Sequence, residues 1–171
     1  MDDWKKDKLW SDVFIPEIKQ ILGTHLIAPA PFDEDAERNT DLIVLKLEAV
    51  RIACRIRKNK YLASYGNQFT IRSGRPSGAK TELTKIIEGW GDYFFYGFAA
   101  ANERHLERWI LGRLGALRLY INRQLALNRR GWEQQKNIDG SSDFVCFEYE
   151  KIPEFIVATG PQQMALFGEA V

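Results

Sequence analysis

Residues 50–57 read Val-Arg-Ile-Ala-Cys-Arg-Ile-Arg, and that run admits one kind of backbone. Val50, Ile52, Cys54 and Ile56 fall on one side of a period of two, and Arg51, Ala53, Arg55 and Arg57 on the other. Side chains alternate across a strand but wind around a helix, so only a strand separates these two sets. A lone strand is not stable in water and needs partners. Three other short runs offer them: residues 41–47, residues 68–73 with Phe69 and Ile71 inward, and the aromatic run 92–98. Only Glu48 and Ala49 separate the first of these from the 50–57 run, which predicts a hairpin.

Helical spacing accounts for much of the rest. Trp10, Phe14, Ile18, Ile21 and Leu22 predict a helix over 3–25, kinked or restarted at Pro16, with the proline in a first turn. Pro29 and Pro31 make 27–38 a connection. Leu83, Ile86, Ile87 and Trp90 predict one buried stripe on a helix over about 79–90. Leu106, Trp109, Ile110, Leu114, Leu117, Ile121 and Leu125 predict a long amphipathic helix over about 103–127, capped by Asn102. Arg104, Arg108, Arg113, Arg118 and Arg123 lie largely off its stripe. Residues 129–142 read as loop, 143–149 and 154–158 as late strands, and Gly160-Pro161 as the end of the last strand. The expected fold is α+β: a central mixed sheet of about four strands flanked by helices, in one domain over 1–159, followed by a tail over 160–171.

Composition removes several functions. No apolar stretch reaches the roughly 18 residues of a membrane span, and the charged first ten residues do not resemble a secretory leader. A cytoplasmic location is expected, with Cys54 and Cys146 as reduced, buried thiols. Two histidines and two cysteines give no zinc spacing and no nucleophile–base pair. The net charge of +1 does not announce a nucleic-acid binder, but the charges are segregated. Asp33, Glu34, Asp35, Glu37 and Asp41 precede Arg51, Arg55, Arg57, Lys58 and Lys60.

The basic residues form a candidate phosphate surface. Arg51, Arg55 and Arg57 share a strand face, and Arg72 on the next strand can join them. Arg75 and Lys80 flank a Gly-rich loop that leads into a helix N-terminus, where backbone N–H groups favour anions. The loop lacks the Gly-Lys-Ser/Thr ending of a nucleotide-hydrolysing loop. The plainer reading is a solvated strand face, paired to the acidic 33–37 segment. Tyr93, Phe94, Phe95, Tyr96 and Phe98 read as a packed core strand rather than a stacking platform for bases.

Over residues 10–98, the order helix, three strands, helix, strand resembles the PD-(D/E)XK nuclease-like superfamily. The resemblance implies that Asp41, at the start of a strand, and Glu17, on the first helix, help to hold Mg²⁺ for phosphodiester cleavage. The following strand of that family carries acid–any–lysine, whereas this one carries Arg55-Ile56-Arg57. A guanidinium beside a dication opposes binding. Either the metal site is dead, or another carboxylate has taken the place, with Glu82 the best candidate and Lys85 one turn on. The plainer reading of Glu82 is a first-turn acid favoured by the helix dipole. In the tail, Gln163, Met164, Ala165, Leu166 and Phe167 resemble the bacterial sliding-clamp-binding peptide, with Met164 where leucine is most frequent. Together these imply a DNA-processing or DNA-binding protein of replication or repair, tethered to the sliding clamp. The rival expectation is a non-enzymatic, protein-binding or regulatory protein on a catalytically dead nuclease-like scaffold.

Overall fold

The computed structural model describes residues 3–29, 42–44 and 50–160, and side chains over 5–23 and 50–160. Asp41 and the peptide residues Gln163, Met164, Leu166 and Phe167 lie outside the described residues. Contacts divide the chain into two compact units, residues 1–50 and 51–171.

In the first unit the helical expectation holds, break included. α1 (Asp3–Asp12) and α2 (Ile15–Leu26) are separated at Val13 and Phe14. Pro16 stands in the first turn of α2, where the backbone N–H it lacks would have had no helical partner. Trp10 closes edge-on against Phe14 at 5.3 Å. β1 (Ile27–Pro29) pairs antiparallel with β2 (Leu42–Val44).

Residues 45–49, which include the Glu48-Ala49 link of the expected hairpin, lie outside the described residues, and among the described residues β2 and β3 do not pair with each other. β2 pairs with β1, and β3 (Ile52–Arg57) runs parallel to β5 (Tyr93–Ala99). The partner of β3 is the buried aromatic strand, and a parallel partner needs a long crossover. Residues 58–92 supply that crossover: a helical turn (Asn59–Tyr61), α3 (Leu62–Tyr65), β4 (Gln68–Gly74) and α4 (Glu82–Ile87).

The second unit contains two sheets. One is mixed and four-stranded, in the order β3-β5-β6-β9, with β6 (Leu106–Arg113) and β9 (Ile156–Gly160) antiparallel to their neighbours. The other is antiparallel and three-stranded, in the order β4-β8-β7, with β7 (Glu133–Lys136) and β8 (Asp143–Glu148). The α+β class and the four-stranded mixed sheet match expectation, but the 68–74 strand belongs to the second sheet.

The core draws on both sheets and on α5 (Leu114–Ala126). Phe69 on β4 stacks on Phe155 at 4.8 Å and on Phe147 at 5.3 Å, and meets Phe94 at 5.7 Å. Gly112 on β6 makes room for this cluster, because a Cβ there would run into the Phe155 ring. The aromatic run is a packed strand, with Phe94 and Phe95 fully buried.

Three further expectations are corrected. The long helix over 103–127 is strand in its first part: β6 ends at Arg113 and α5 begins at Leu114. Leu106, Trp109 and Ile110 fit helical spacing, but β5 and β9 hydrogen-bond β6 on both sides, and tertiary pairing overrides a local pattern. Asn102 caps no helix; its side-chain oxygen accepts from the Arg104 N–H in the β5–β6 turn. The helix over 79–90 shrinks to Glu82–Ile87. Thr81 caps its start by accepting from the Thr84 N–H, and Gly89, at φ 96°, ends it. That early end leaves Ile87 and Trp90 exposed rather than buried. Cys54 is exposed on edge strand β3, whereas Cys146 is buried as expected; both thiols are free.

Candidate nucleic-acid interface

The near-neutral total conceals a basic second unit. Residues 51–160 carry 18 Lys and Arg against 11 Asp and Glu. Several of these cations gather where β3 ends. Arg57, the last residue of β3, lies over the Tyr61 ring at 4.5 Å, and the Lys60 ammonium lies 5.1 Å from the same ring. Tyr65 stands 6.5 Å from Tyr61 and is exposed. The Asn59 amide donates to the Ala99 carbonyl at 3.0 Å and pins the turn to the end of β5. Tyr61 and Leu62 anchor the same segment by packing on the core. Lys58, between Arg57 and Asn59, is exposed.

Arg108 reaches this end from β6, where Phe98 pairs with Arg108 on one side and with Arg57 on the other. Its guanidinium donates to the Tyr149 hydroxyl, which donates in turn to the Gly66 carbonyl at 3.2 Å. Neither Arg57 nor Lys60 has an ion pair among the described residues. Guanidinium, ammonium and aromatic groups gathered at this strand end can meet phosphates and stack on bases.

The interior part of the arginine face has another occupation. Arg55 is half-buried and donates to the Thr70 carbonyl at 3.2 Å and to the Glu82 carboxylate at 2.5 Å. The same Glu82 oxygen accepts the Arg72 backbone N–H at 3.1 Å. Tyr96 lies beside this group, 3.3 Å from the Thr70 hydroxyl, and burial holds its phenol above the ordinary value. Glu82 thus ties α4 to β3 and β4. A magnesium ligand needs other oxygen donors close by, whereas among the described residues the hydrogen-bond partners of this carboxylate are a guanidinium and a backbone N–H. That set of described partners suits a counter-ion rather than a metal ligand. Among the described residues, no three His, Cys, Asp or Glu side chains form a metal-holding group.

The other expected residues stand on other elements. Glu17 belongs to the first unit, in the first turn of α2. Lys85 is exposed in the last turn of α4. Lys80 is held by Glu88 at 2.7 Å. Arg75 is exposed in the turn closed by its own carbonyl and the Gly78 N–H. Arg51 is exposed, and its backbone N–H donates to Asp92. The expected set therefore divides: Arg55 and the Arg72 backbone converge on Glu82, while Arg57 belongs with Lys58, Lys60, Tyr61, Tyr65 and Arg108. Lys58 and Lys60 were visible as the end of a charge run. Tyr61, Tyr65 and Arg108 carried no such signal, because a turn and a neighbouring strand bring them in. No family model, curated protein or solved structure matches this chain.

Proposed function

We propose that the second unit binds DNA through the surface at the end of β3, and that Glu82 serves there as the counter-ion of Arg55 rather than as a metal ligand. The observation that carries this reading is the sharing of the Tyr61 ring by Arg57 and Lys60, both without an ion pair among the described residues, beside exposed Tyr65. Cations held against an aromatic face are already ordered, so less side-chain entropy is lost when phosphate binds. The experiment is DNA binding with and without chelator, in wild type and in Glu82→Gln. Binding is expected to survive EDTA. Glu82→Gln removes the partner charge of Arg55 and is expected to keep or raise DNA affinity, while lowering stability by about 1–3 kcal/mol through the weakened tie between α4 and β3. Loss of binding in EDTA together with metal-dependent cleavage abolished by Glu82→Gln would overturn the assignment of Glu82.

The clamp tether belongs to the same proposal. Strand β9 ends at Gly160, and Gln163, Met164, Leu166 and Phe167 follow within seven residues. Leu166→Ala with Phe167→Ala is expected to abolish capture of a bacterial sliding clamp and to leave melting temperature and DNA binding unchanged. Two buried apolar side chains contribute roughly 1.5–3 kcal/mol each, which is most of what so short a peptide offers. A melting temperature lowered by several degrees in that variant would show that the segment is core packing instead.

A further inference from the structure

At the opposite end of β6 from Arg108, the molecule has a second basic feature that the DNA surface does not use. A cavity of about 480 Å³ opens between α5 and the 151–154 turn. Its apolar wall is Ala116, Leu119, Leu127 and Pro153, with the body of Tyr120 beside them. Arg113, Arg123 and Arg129 line it from the start of α5, its last turn and the loop beyond. These three guanidiniums make no side-chain hydrogen bond or ion pair among the described residues. Lys151 also lines the cavity but is held by Glu148 at 2.8 Å, and Glu154 is the one carboxylate in the wall.

Glu154 supplies an independent observation. Its φ is +56°, a left-handed conformation that a glutamate rarely adopts. The buried Phe155 on one side, and the bond from the Arg113 N–H to the Phe155 carbonyl, hold the turn in that shape. Strain of this kind persists where the surroundings over-determine it, and such positions gather at ligand sites.

We propose that this cavity binds a phosphorylated small molecule of nucleotide size. Three arginines without a side-chain partner among the described residues, in a wall that holds a single carboxylate, call for a ligand of more than one negative charge, and their planar forks match phosphate oxygens. The volume lies in the range of small-ligand sites, and the Leu119, Leu127 and Tyr120 wall suits a flat, apolar group such as a base. The site is separate from the DNA surface: Arg108 and Arg113 stand five residue steps apart along β6, about 16 Å at roughly 3.3 Å per residue.

The test is titration calorimetry of the full chain with ADP and with inorganic pyrophosphate. ADP is expected to bind with a submillimolar Kd and several-fold more tightly than pyrophosphate. Arg123→Gln with Arg129→Gln, both exposed positions, is expected to weaken ADP by at least about tenfold without changing the melting temperature or DNA binding. Leu119→Ser, at a side chain 73% exposed, is expected to weaken ADP and leave pyrophosphate unchanged. No heat at millimolar ADP, ADP binding unaffected by the double substitution, or equal affinity for ADP and pyrophosphate would each overturn the proposal.

Discussion

Phe69→Ala is expected to cost about 3–5 kcal/mol, a large share of the 5–15 kcal/mol that holds a typical domain together. Phe69 is fully buried and meets the rings of Phe94, Tyr96, Phe147 and Phe155. These rings come from both sheets and from the segment before β9, so removing the central one opens a cavity that no single neighbour can fill. Urea denaturation followed by tryptophan fluorescence measures the loss, with Trp90→Ala as the companion variant. Trp90 is 63% exposed, and its truncation is expected to change stability by no more than about 0.5 kcal/mol. A Phe69→Ala cost below about 1 kcal/mol would mean that the two sheets do not share this core.

The strands that build that core were the most legible part of the sequence. Phe69 and Ile71 alternate with polar neighbours, and the aromatic run at 92–98 favours a packed core strand over a stacking platform. β6 was misread because Leu106, Trp109 and Ile110 satisfy a helical period as well as a strand buried on both faces. Only its pairing to β5 and β9 decides between them. β7 gave no signal, since Glu133-Gln134-Gln135-Lys136 is exposed and polar throughout. Pairing order was illegible for a similar reason: β3 finds its partner more than thirty residues on, past a strand that joins another sheet.

The basic surface was half legible. The run from Arg51 to Lys60 marked the right stretch of chain, but alternation alone could not divide it into a structural part and an exposed part. Arg55 is spent on Glu82, 27 residues away on α4. Arg57 escapes that pairing because it stands at the strand end, where the chain turns and offers Tyr61 instead. Of the guanidiniums of the α5 cavity, Arg113 and Arg123 were visible only as residues off a helical stripe and Arg129 only as part of a polar loop; Arg113 and Lys151 come together through the fold, not through spacing.

The second large effect concerns DNA. If Arg57, Lys58 and Lys60 each meet a phosphate, replacing all three with alanine removes three sites of counterion release. The slope of log affinity against log salt is then expected to fall in magnitude by about 3, and affinity at low salt by roughly a hundredfold. Tyr61 is kept in this variant because it also packs on the core, so loss of binding is not loss of fold. Exposed Tyr65→Ala is expected to weaken single-stranded DNA by about 1–3 kcal/mol, the worth of one stacked base.

The most direct measurement is fluorescence anisotropy of labelled DNA, titrated with wild type and the Arg57→Ala/Lys58→Ala/Lys60→Ala variant across a series of salt concentrations. Circular dichroism of both proteins checks that the fold is kept. Wild type is expected to bind with a steep salt dependence, and the variant more weakly with a shallower slope. Equal affinity and equal slope for the two proteins, both folded, would contradict the proposed DNA surface.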